Sequence, residues 1–286
     1  LIPSRGLGLA RAGKAQSFLV PRSKLKSFEE LRRLLQLVLK ELGYELADLE
    51  LFQLKLFKYM TSCSARRKAE YENISWAQFM EIERYSAIVR EHMEFGAQMS
   101  AALRGSQSDA RTQGNITLQL LMDQLGPDGA TDSKLNGPTS GAWFDHWHDY
   151  LQRQGVTFKR GKLLGFDGAT GEVRPVLANG EMLESGYFVL ALSLPAMAEL
   201  APLFLAAAHK ANRDLPPDND FERITAFAGD PAALKADLEL PEPTGPLQHL
   251  SGIQYYFDSD LKLWAGHTQY LDAKWGLTSI SQPQFW

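Results

Sequence analysis

Apolar residues recur at helical spacing through the first part of the chain. Leu31, Leu34, Leu35, Val38, Leu39 and Leu42 stand three or four apart, the stripe that buries one face of a helix. Ser27 and Glu30 precede it as a capping box, and Gly43 follows as a stop. The same spacing predicts a helix over 45–62 on Leu46, Leu49, Phe52, Leu56, Phe57 and Met60. Ser75 and Gln78 form a second capping box ahead of Trp76, and further helices are expected over 86–104 and 115–125.

The period changes after Gly155. Val156 and Phe158 alternate with Thr157 and Lys159, which predicts a half-buried strand. A glycine-rich turn (Gly165, Gly168, Gly171), a second run over 172–177 and an Asn179-Gly180 turn follow. Residues 187–192, Tyr-Phe-Val-Leu-Ala-Leu, read as a near-continuous apolar strand buried on both faces of a sheet. Ser193-Leu194-Pro195 then opens a helix to Lys210. Helix, strand, hairpin, buried strand and helix describe part of an α/β nucleotide-binding layer. Its ligand would sit beyond the carboxyl end of the last strand. A Pro- and Asp-rich stretch over 212–247 reads as loop with short helical pieces. Strands are expected again at 252–257 and 263–271, with a hydroxyl- and aromatic-rich tail over 275–282.

Composition narrows the classes. The chain has 286 residues, enough for two domains or one large one, with 44% hydrophobic and 22% charged residues. A net charge of -4 gives no electrostatic reason to expect nucleic acid, and Arg66-Arg67-Lys68 reads as a solvated helix face. The single cysteine, Cys63, excludes an internal disulfide and fits a reducing, cytoplasmic setting. The longest apolar window, 197–208, is interrupted by Glu199 and Pro202, so no membrane span is expected.

Candidate chemistry is sparse. The patch Gly6-Leu7-Gly8-Leu9-Ala10-Arg11-Ala12-Gly13 has Arg11 where a dinucleotide fingerprint needs glycine, and no strand run precedes it. It is read as a loop. On the helix over 143–154, His146 and His148 point about 200° apart, so they cannot share an ion. Asp145 and Asp149 do share a face, but two carboxylates make a poor transition-metal site. No metal is expected. Neither a Ser-His-Asp pattern, nor zinc spacing, nor a P-loop appears elsewhere.

Four segments resemble the middle of FAD-dependent oxidoreductases related to flavin amine oxidases, phytoene desaturases and hydroxysqualene dehydroxylase. They are MTSCSARR over 60–67 with YENISW over 71–76; LNGPTSGAW over 135–143; the stretch 155–192; and GIQYY over 252–256 with WGLTSISQ over 275–282 and Gln284-Phe285-Trp286. The resemblance implies a mixed α/β (α+β) fold. A partial FAD-binding, Rossmann-like domain would be interleaved with a helical-plus-sheet substrate domain, as in amine oxidases. The implied division is 1–136 for the helical part of the substrate domain, 137–200 for the FAD-domain segment, and 201–286 for the substrate sheet and its loops.

Further expectations come from the same resemblance. The backbone at Leu164 would pair with the adenine of FAD, while Ala191, Leu192 and Pro195 would approach the flavin. Gln254, Tyr256 and Thr278 would face a small hydrophobic substrate, isoprenoid-like or amine. The activity implied is hydride transfer between substrate and flavin, with no catalytic acid or base assigned, in a cytoplasmic protein with peripheral membrane contact. A GxGxxG segment at the N-terminal side and a flavin-closing segment at the C-terminal side are not in this sequence. Together with a start at Leu1, this leads us to expect the interior of a longer protein whose other segments are partners of this one. The rival expectation is a non-catalytic remnant or a lipid-binding module that keeps an apolar pocket without flavin.

Overall fold

The computed structural model describes residues 2–3, 6–10, 18–21, 27–125, 133–259, 267–273 and 275–281. The chain begins with strands β1 (Ile2–Pro3), β2 (Gly6–Ala10) and β3 (Phe18–Pro21). Helices α1 (Phe28–Gln36), α2 (Leu46–Met60), α3 (Ser64–Arg66), α4 (Trp76–Met80), α5 (Ala87–Ala101) and α6 (Ala110–Leu125) follow. Strand β4 (Ser133–Lys134) and helix α7 (Asp145–Arg153) lead to strands β5 (Leu163–Asp167) and β6 (Arg174–Leu177). Helices α8 (Leu194–Lys210), α9 (Asp220–Ala228) and α10 (Pro231–Leu238) precede strands β7 (His267–Tyr270) and β8 (Thr278–Ile280). The fold is therefore mixed, mainly helical, with small sheets. Two compact units divide it: residues 1–151 with 256–286, and residues 152–255.

The helices of the first unit start where their caps dictate. Ser27 Oγ accepts from the Glu30 N–H at 3.2 Å. At α4 the box is reciprocal: Gln78 N–H donates to Ser75 Oγ at 3.1 Å and Ser75 N–H to Gln78 Oε1 at 2.9 Å. A π-helical turn, Leu37–Glu41, extends α1, and Gly43 leaves the helix at φ +74°. The predicted helix over 45–62 forms as α2. Its buried side meets α4, α5 and α6 in a core of Tyr59, Tyr71, Trp76, Phe79, Met80, Tyr85, Val89 and Ala110. A smaller cluster of Leu9, Leu42, Met99 and Leu271 joins β2 and the residue after β7 to the helices.

The four-stranded sheet runs β3-β2-β7-β8, with β2 parallel to β7 and the other pairs antiparallel. This corrects the reading of the glycine patch as a loop, because residues 6–10 form an inner strand. Leu9 is buried there, and the partner β7 lies near the other end of the chain, where no local pattern can reveal it.

Three other expected strands do not form. Residues 156–159, 187–192 and 252–257 have no regular structure, and their large apolar side chains are mostly exposed, with Tyr187 at 93% and Val189 at 90%. A strand exists only when a neighbour takes its backbone N–H and C=O groups. None of these runs joins a sheet among the described residues. The part of the 263–271 strand before His267 lies outside the described residues, as do Gln282 and Gln284-Phe285-Trp286. Among the described residues no helix is long and apolar enough to cross a membrane.

Candidate functional site

In the second unit the β5–β6 hairpin is built against α8. Gly168 lies so close to that helix that an added Cβ would sit 2.0 Å from the Ala207 carbonyl oxygen, so only glycine fits the contact. Phe166 meets Phe204 edge-on at 5.3 Å, and Phe204 stacks on Phe221 at 3.8 Å, which ties α9 to the same layer. Lys210 donates to Asp167 at 3.2 Å. That bond, helped by the Ala169 and Gly168 N–H groups, holds the Asp167 carboxyl below its usual range. On the far side, Lys159 pairs with Glu181 at 3.0 Å and Ala178 N–H donates to the Lys162 carbonyl at 2.8 Å.

The hairpin register breaks at one place. Leu163 is opposite Leu177 and Gly165 is opposite Val176, so Leu164 is the extra residue of a β-bulge. Its side chain is half exposed, and β6 is the single strand neighbour of β5 among the described residues. The resemblance singles out the Leu164 backbone but not the bulge, and the reading of Gly165 as a turn residue is corrected, because β5 runs through it to Asp167.

The remaining candidate residues fall as follows. Ala191 and Leu192 lie exposed in the irregular stretch before α8, and Pro195 is half-buried in its first turn. Gln254 is exposed near the end of the second unit. Tyr256 and Thr278 belong to the first unit, Tyr256 85% exposed and Thr278 on β8 opposite Gln269. Leu164, Ala191, Leu192, Pro195 and Gln254 thus share one unit, and Tyr256 and Thr278 the other.

Of the motif residues at 60–76, Ser62, Tyr71 and Trp76 are buried, and Tyr71 and Trp76 join the core around Tyr59. Tyr59 is fully buried, and its hydroxyl donates to the Arg111 carbonyl at 2.8 Å and to Asn115 Oδ1 at 2.7 Å. Burial pushes that phenol up, against the pull of Arg67 and Arg111. The Arg67 guanidinium lies 4.4 Å over the Tyr59 ring and donates to the Tyr59 carbonyl at 2.9 Å. Ser62 and Tyr71 share a hydrogen bond at 2.8 Å.

Two buried charges nearby were also missed by sequence reasoning. Asp48 accepts from Ser86 N–H at 2.8 Å, Ser86 Oγ at 2.7 Å and Glu45 N–H at 2.9 Å. Burial alone would raise its carboxyl, but these three bonds outweigh burial and hold it low. Lys55, 5% exposed, meets Glu81 at 2.5 Å. The bonds from Lys55 and Arg84 hold the Glu81 carboxyl down to about 2. The signal for Lys55 was its place on the apolar face of α2, four residues before Tyr59.

Two open depressions lie in the first unit, one lined by Ala142, Trp143, His146 and Trp147, the other by Glu72, Ser75, Gln107 and Asp109 among others. No group of three or more His, Cys, Asp or Glu side chains among the described residues is placed to hold a metal ion. No family model, curated protein or solved structure matches the chain.

Proposed function

We propose that this chain is part of an FAD-dependent oxidoreductase related to the flavin amine oxidases, phytoene desaturases and hydroxysqualene dehydroxylase, with β5 as its adenine-binding strand. The observation that carries the reading is the bulge at Leu164 on a strand with a single strand neighbour among the described residues. A bulged residue at such an edge keeps backbone donor and acceptor capacity for a partner outside the ladder. Adenine offers the complement, ring-nitrogen acceptors beside an exocyclic amino donor.

On this reading the Leu164 backbone holds the adenine, and Ala191, Leu192 and Pro195 border the approach to the flavin. The substrate is hydrophobic, isoprenoid-like or amine, in a protein with peripheral membrane contact. When bound, FAD supplies the hydride-accepting centre, and the chain supplies position and exclusion of water. The fit lies at the adenine end. Residues 187–192 are exposed apart from half-buried Leu190, so the flavin end is not enclosed by the described residues.

The test compares FAD binding by the purified protein and two variants, read by flavin fluorescence anisotropy. Leu164→Pro deletes the backbone N–H, and one lost hydrogen bond of ~1.4 kcal/mol weakens binding about tenfold. Leu164→Ala keeps the backbone and is expected to bind as the parent does. Circular dichroism reports folding of both. Equal affinity in a folded Leu164→Pro variant would overturn the adenine-strand assignment.

A further inference from the structure

We draw no further inference here: the strongest candidate, the exposed aromatic face of Trp143, Trp147 and Tyr150 on α7 and the turn before it, is an unpartnered apolar face, and nothing in the structure shows what covers it.

Discussion

Residues 76–80, Trp-Ala-Gln-Phe-Met, and residues 187–192, Tyr-Phe-Val-Leu-Ala-Leu, are both short and apolar, yet they end in opposite environments. In the first, Trp76, Ala77, Phe79 and Met80 are buried in the core around Tyr59. In the second, Tyr187 and Val189 stand almost fully in solvent. The difference lies in where each backbone finds its hydrogen bonds. A helix bonds mostly within its own segment, and the N–H groups left over at its start need other partners. In α4 the Ser75 cap takes one, and the Trp76 and Ala77 N–H groups donate to the Ser108 and Gly105 carbonyls at 2.9 Å. A strand depends wholly on another segment. The apolar run at 187–192 carries the composition of a buried strand without a sheet among the described residues to receive it.

The largest expected effect tests how tightly the first region is closed. An added Cβ at Gly114 would lie 2.3 Å from the Tyr59 ring, which has no room to retreat. Gly114→Ala is expected to destabilise by ~3 kcal/mol through overpacking, measured by urea denaturation. A loss under about 0.5 kcal/mol would show that the core yields.

Next comes Asp48, whose carboxylate joins the start of α2 to the start of α5. Its folded pKa is depressed, so its contribution is complete above the unfolded value of about 3.9 and disappears as pH falls towards the folded value. Asp48→Asn is expected to cost ~2 kcal/mol at pH 7. The gap between variant and parent should narrow when the urea midpoints are compared again below pH 3. A gap that stays constant with pH would contradict the charge-assisted role.

The smallest effect belongs to the exposed run. Val189→Ser is expected to change stability by less than ~0.5 kcal/mol, because its side chain is already in water. A loss of 2 kcal/mol or more would mean that residue 189 is packed in solution, and would erase the contrast between the two regions.

These residues also show what local pattern can and cannot reach. The N-cap at Ser27, the capping box at Ser75 and the glycine stop at Gly43 are read from neighbours within a few residues, and each is found in place. The stripe read on α2 is only partly its buried face, since Leu46, Phe57 and Met60 are exposed while Asp48, Lys55, Leu56 and Tyr59 are buried. Strands fared differently. The run over 6–10 resembles a glycine loop but is an inner strand, because its parallel neighbour is His267–Tyr270. The runs over 156–159, 187–192 and 252–257 have the alternation or apolarity of strands but join no sheet among the described residues. Site reading met the same limit. Leu164 is singled out by the resemblance alone, since the pattern puts a turn at Gly165 where β5 runs on to Asp167, and the bulge that sets it apart arises from its register against β6. Lys55 sits within an apolar stripe, and its partner Glu81 comes from the left-handed turn after α4, at φ 54°.

The most direct measurement is the visible absorption spectrum of the purified protein, incubated with FAD and freed of unbound cofactor. It should be recorded for the whole product of the coding frame that contains residues 1–286. The account predicts retained flavin bands, with FAD released on denaturation. A product that folds and stays colourless would contradict the flavoprotein reading.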